Sequence, residues 1–265
     1  MPDASRPLAL VTGASSGIGE AFARALAARG YDLALTARRA DRLQALADEL
    51  AKAHAVETLV IPQDLAEFRA HEPILGAIAA QGRSVDLLVN NAGFSIPQSF
   101  VSVPWSRQEA FLMTLVVNAC GLAYGVLPDM LARGGGRMIN VSSLAAFSPG
   151  VAGHSLYPGA KSLMVTFSQA LDAEYRARGL KVTAICPGYT DTGFPEATGM
   201  TSVMQTLPRR LFQTPETVAA RAIAANDAGQ VVVIPGWRNV LNARLMRLLP
   251  RAILMRASAK YHLED

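Results

Sequence analysis

The chain has 265 residues, 51% hydrophobic and 17% charged, with a formal net charge of +4 and a pI near 9.3. That composition excludes a disordered or collagen-like chain, and the length suffices to bury a substantial core. Two cysteines, Cys120 and Cys186, both in apolar segments, form neither a metal-ligand cluster nor a disulfide framework, so no metal is expected.

The N-terminal Met1–Pro7 is short and polar, with no apolar signal core. No apolar run is read as approaching the roughly 20 residues that span a bilayer, so a cytoplasmic location is expected. Strands are predicted at Leu8–Thr12, Leu33–Ala37, Thr58–Ile61, Leu87–Asn90, Met138–Val141, Val182–Cys186 and Val231–Ile234. These nearly continuous apolar runs suit strands buried on both faces of a parallel sheet. Helical spacing lies between them: Phe22 with Leu26, then Leu43, Leu46 and Leu50, and a long helix over Tyr157–Arg178 closed by Gly179. The alternation predicts an α/β fold, a Rossmann-type doubly wound parallel sheet of about seven strands. Residues 1–235 are expected to form one cofactor-binding and catalytic domain, and residues 236–265 a helical C-terminal extension.

The first strand runs into Thr12-Gly13-Ala14-Ser15-Ser16-Gly17-Ile18-Gly19, and a helix follows. Glycines there let the backbone approach a pyrophosphate at the helix N-terminus. The second strand ends at Thr36-Ala37-Arg38-Arg39, with no carboxylate to accept bonds from an adenosine ribose. Two guanidiniums suit an added phosphate, so NADP(H) is expected over NAD(H), with Arg38 preferred to Arg39 and Ser15 as a second contact.

Tyr157 and Lys161 stand four apart on the long helix and share a face. A neighbouring ammonium lowers a phenol's pKa, which suits proton exchange with a carbonyl or alcohol oxygen. Alone, the pair is an ordinary helix motif. In company with Thr12–Gly19, Asn90-Asn91-Ala92-Gly93, Asn118, Ser142-Ser143, Tyr157-Pro158-Gly159-Ala160-Lys161 and Pro187-Gly188, the chain resembles the short-chain dehydrogenase/reductase family in its single-domain form, over about Leu8–Pro235.

The resemblance implies hydride transfer between a nicotinamide and a carbonyl or secondary alcohol, probed most directly at Asn118, Ser143, Tyr157 and Lys161. It implies that Ser143 bonds the substrate oxygen and that Asn118 holds a water leading to Lys161, although Asn118 also reads as a helix-kink or capping residue. It implies cofactor contacts from Gly13, Ser16, Gly17, Ile18, Gly19, Asp64, Leu65, Asn91, Ala92, Gly93, Pro187, Gly188, Thr190 and Thr192, with Lys161 on the nicotinamide ribose. A homodimer or homotetramer is implied in the same way. The chain departs from the family pattern in Pro158 and in a slightly longer Ser143–Tyr157 segment, with Phe147 to Gly153 inside it.

Substrate is expected near Phe94, Leu144, His154, Tyr189 and Phe194, at the carboxyl edge of the sheet. Met200, Met204, Leu207 and Leu211 in the following segment suit a lid over an apolar carbonyl or alcohol. After Pro235, Leu241, Leu245, Leu248 and Leu249 form an apolar stripe flanked by Arg244, Arg247 and Arg251. This tail suits packing on the protein, a subunit contact or an anionic membrane surface. No nucleic-acid reading motif accompanies its charge. The rival to an enzyme is a sensor or scaffold that binds NADP(H) without turnover. The presence of Tyr157, Lys161 and Ser143 together argues for turnover.

Overall fold

The seven apolar runs become seven strands: β1 Leu8–Thr12, β2 Asp32–Ala37, β3 Thr58–Pro62, β4 Val85–Asn90, β5 Gly136–Val141, β6 Leu180–Ile185 and β7 Val232–Val233. The computed structural model describes residues 6–150, 152–192, 208–250 and 254–255. The strands form one sheet, parallel throughout, in the order β3-β2-β1-β4-β5-β6-β7. The order reverses between β1 and β4, so the crevice opens beyond the carboxyl ends Thr12 and Asn90. The predicted starts of β4, β5 and β6 fall two residues late, because charged Asp86, Arg137 and Lys181 interrupt the apolar runs; Arg137 and Lys181 still pair in the sheet, whereas Asp86 falls where the β1–β4 register shifts.

Alternate strand residues feed two cores. Val11, Leu33, Leu35, Val89, Ile139 and Ile185 pack under α1 (Gly17–Ala27), α2 (Ala40–His54) and α7 (Pro215–Asp227). Leu10, Ala34, Leu88, Met138 and Val182 face the opposite layer. That layer holds α3 (His71–Ala80), α5 (Asn118–Ala132) and α6 (Tyr157–Tyr175). Each helix supplies an apolar stripe, such as Leu43, Leu46, Ala47 and Leu50 on α2. The long helix predicted over Tyr157–Arg178 is α-helical to Tyr175, tightens to a 3-10 turn at Arg176–Arg178 and ends at Gly179, whose φ of 86° few side chains tolerate.

One helical run corrects the sequence reading. α4 (Trp105–Leu112), a π-helical turn (Met113–Val117) and α5 join into Trp105–Ala132, 28 residues long and apolar enough by length and composition to cross a membrane. Its Leu122, Ala123, Val126 and Met130 pack on the sheet, so burial in the core accounts for the apolarity of that face. Helix α8 (Trp237–Leu248) follows β7 and runs beside the Leu144–Phe147 3-10 turn.

Candidate active site

β1 delivers Thr12 to the crevice, and its hydroxyl organises the floor. Thr12 Oγ1 accepts from the backbone N–H groups of Asn91 and Ala92 at 2.9 and 3.0 Å. The Asn91 amide donates back to the Thr12 carbonyl at 2.9 Å. The glycine-rich turn closes against it. A Cβ on Gly19 would lie 2.2 Å from the Gly13 carbonyl oxygen, and one on Gly13 would lie 2.8 Å from the Asn91 amide nitrogen. Only hydrogen fits at either position.

Ser16 precedes α1 and its side chain does not cap it, and the N-terminal donors of such a helix favour an anion. Thr192 packs over the same turn, its Cβ 3.1 Å from where a Gly17 Cβ would stand. Ile18 is half-buried against the core below. This cradle fits a dinucleotide pyrophosphate.

Of the two arginines after β2, it is Arg39, not the preferred Arg38, that reaches the turn. Its guanidinium donates to Ser15 Oγ at 2.9 Å, Ser15 O at 3.2 Å and Ser16 Oγ at 2.8 Å. Burial and the adjacent charges of Arg42 and Arg38 hold its pKa below the usual guanidinium value, and an anion placed there relieves that repulsion.

On the other side of the crevice, α6 opens at Tyr157 with Pro158 in its first turn, where the missing N–H costs nothing. Tyr157 and Lys161 do share a face, with Lys161 Nζ 5.7 Å from the phenol ring centroid. Ser143 follows β5, and its hydroxyl hydrogen-bonds the Tyr157 side chain. Ser142 is spent elsewhere, donating to the Lys161 carbonyl at 2.7 Å.

The electrostatics differ from the expectation that the ammonium lowers the phenol pKa. Burial pushes Tyr157 above its ordinary value, and the Ser143 hydrogen bond offsets this only in part. Burial likewise lowers Lys161 to about 8, although its ammonium donates to the Val141 carbonyl at 2.9 Å. Desolvation disfavours both charges, and the lysine faces a carbonyl rather than the phenol oxygen.

Asn118 stands where α5 begins. It is fully buried directly after the π-helical turn. Its amide donates to the Leu65 and Glu67 carbonyls, both at 2.9 Å. Its oxygen accepts the His71 backbone N–H at 3.1 Å and meets His71 Nδ1 at 2.8 Å. The side chain therefore ties the turn after β3 to α5. In that turn Asp64 accepts the Ala66 N–H at 2.9 Å, and Leu65 is buried in the core. A small pocket of mixed polar and apolar lining is bounded by Lys161, Leu65, Asn90, Ala92 and Thr114. Gly93 packs against Leu115.

Beyond β6, Cys186 is buried and Pro187 accepts the Leu144 N–H at 2.8 Å. Gly188 is where α8 approaches: a Cβ would meet the Asn239 amide at 2.7 Å. Thr190 donates to the Gly188 carbonyl at 3.2 Å, a loop-capping bond within its own turn.

On the substrate side Phe94 meets Phe111 edge-on at 5.6 Å, and Phe111 lies 6.4 Å from Tyr157. His154 is not a free surface group. It is half-buried and bonded to Ser95 Oγ at 3.2 Å, and burial lowers its pKa below the usual imidazole value. Leu144 is half-buried and Tyr189 packs on Phe212 at 5.7 Å. Phe194 and the lid residues Met200, Met204 and Leu207 lie outside the described residues. Sequence reasoning passed over Thr12's hydroxyl, Phe111, Ser95, His71 and Asn239, because each acts through a contact distant in sequence.

Fold and crevice define a dinucleotide-dependent α/β protein with a tyrosine, a serine and a lysine at the carboxyl edge of its sheet. Residues 7–201 match the short chain dehydrogenase family, and the chain belongs to it: it is an oxidoreductase of that family. It is 33% identical over 262 residues, 98% of its length, to an uncharacterized oxidoreductase of Myxococcus xanthus, of which it covers 99%. It is 35% identical over 81% of its length to the very-long-chain 3-oxoacyl-CoA reductase of Anas platyrhynchos, covering 67% of that protein. Among solved structures, a short-chain dehydrogenase from Sphingobium yanoikuyae in complex with NADPH matches with a TM-score of 0.77 at 30% identity, over 93% of this chain and 97% of that one.

Proposed function

We propose that the protein is an NADP(H)-dependent reductase or dehydrogenase acting on an apolar carbonyl or secondary alcohol. The observation that carries this reading is the convergence of Ser143, Tyr157 and Lys161 on one crevice whose other wall is the Gly13–Gly19 cradle with Arg39 across it. The bound nicotinamide would supply or accept hydride. Tyr157 holds the proton: with its pKa raised by burial it is a neutral phenol at neutral pH, ready to donate to a carbonyl oxygen as that oxygen gains charge. Ser143 orients the same oxygen by hydrogen bonding. Lys161 binds the cofactor ribose and returns a proton to the phenol.

Arg39, with Ser15, holds the phosphate that distinguishes NADP(H) from NAD(H). The NADPH bound by the Sphingobium relative supports this preference. Asn118 acts as a positioning residue for the adenine-side turn, tying it to α5 through its amide. The aromatic wall of Phe94 and Phe111 supports an apolar substrate, as does the acyl chemistry named for the duck relative. We further propose a homo-oligomer.

The deciding experiment is a carbonyl panel with NADPH, repeated with Tyr157→Phe. Turnover lost by at least a hundredfold, with NADPH binding retained by calorimetry, is expected. Undiminished turnover by the variant would overturn the role of Tyr157. Tight NADPH binding without turnover of any carbonyl or alcohol by the wild type would leave a sensor or scaffold.

A further inference from the structure

We propose that helix α8 docks this protein on an anionic lipid bilayer. Trp237, Leu241, Leu245 and Leu248 recur at helical spacing and are 71, 50, 45 and 80% exposed. They form one outward stripe, with Arg244 on one flank and Arg238 on the other, the latter guanidinium stacked on Trp237 at 5.2 Å. The inward face holds buried Ala243 and half-buried Asn239, Val240 and Met246. An apolar stripe flanked by arginines, with a tryptophan at one end, is the pattern of a helix lying in a membrane interface.

Charge identifies the occupant. Of 25 basic and 21 acidic residues in the chain, six basic and no acidic ones lie between 237 and 263, leaving 19 and 21 elsewhere. The surplus of positive charge therefore belongs wholly to this segment, and it complements anionic headgroups. A second copy fits less well, because a two-fold contact would set the arginines of two identical helices, neither with an acid, against each other. A cover for the substrate crevice would turn its leucines inward, whereas these four face out. The inner face of α8 meets the site, with Asn239 against Gly188, so the helix that meets lipid is also a wall of the crevice.

The test is flotation of the full-length protein with phosphatidylcholine vesicles, with and without about 30% phosphatidylglycerol. Sedimentation of the lipid-free protein runs in parallel. The protein should float with the anionic vesicles only, and raising salt to about 0.5 M should release it. Arg238→Gln with Arg244→Gln should weaken partitioning roughly twentyfold, and Leu241→Ser with Leu245→Ser at least tenfold, with particle mass unchanged. Failure of the wild type to float, or equal flotation on neutral vesicles, overturns the proposal. Variants that alter particle mass without altering flotation would assign the stripe to a second copy instead.

Discussion

Replacing Lys161 with methionine tests the electrostatics of the crevice without any substrate. The side chain is 7% exposed, and burial lowers its pKa from 10.5 to about 8. A lysine whose folded pKa lies below its unfolded value binds fewer protons when folded between those two values. Stability therefore rises with pH across that window. Below pH 8 the ammonium is charged in both states, and the desolvation cost is paid in full. From pH 7 to pH 9 the ligand-free wild type should gain between about 1 and 2 kcal/mol relative to Lys161→Met, because the neutral amine no longer resists burial.

The absolute difference at pH 7 is a poor measure, since methionine also abandons the bond to the Val141 carbonyl, worth about 1.5–3 kcal/mol. The pH dependence of the difference is free of that term. For a chain of this size the gain corresponds to roughly 2–8 °C in Tm. Thermal and urea unfolding of both proteins at fixed concentration, without cofactor, would measure it. Parallel stability curves for the two proteins, or a wild type that loses ground as pH rises, would refute the argument.

Three further outcomes follow from the same geometry. Ligand-free wild type, measured against Tyr157→Phe at 295 nm, should show no Tyr157 phenolate at pH 9, because burial outweighs the Ser143 bond; a phenolate step below pH 9 contradicts this. Arg39→Ala should lower kcat/KM for NADPH between about ten- and a hundredfold while leaving NADH unchanged, and Arg38→Ala should do less. Equal losses with both cofactors would place Arg39 outside phosphate recognition. Asn118→Ala should cost about 3 kcal/mol by stranding two carbonyls and the His71 N–H, seen as a Tm lower by roughly 6–12 °C. A stability within 0.5 kcal/mol of wild type would mean that the amide serves only to hold water.

The sequence by itself determined the strand and helix succession, the glycine-rich turn and the sharing of one face by Tyr157 and Lys161. These depend on local periodicity and on backbone rules that operate within a few residues. It also placed Ser143, since a residue ending an apolar strand of a parallel sheet must stand at the carboxyl edge. Only tertiary structure decided which of Arg38 and Arg39 crosses to the turn, because that depends on how the chain leaves β2 relative to α1, 23 residues away. It decided that Asn118 spends its amide on Leu65 and Glu67, contacts more than 50 residues distant. It also set the proton affinities. The pairing of Tyr157 with Lys161 suggests a stabilised phenolate, but burial of both groups and the turn of the ammonium toward Val141 give the opposite sign. A spacing rule shows which groups are neighbours, whereas desolvation depends on everything packed around them.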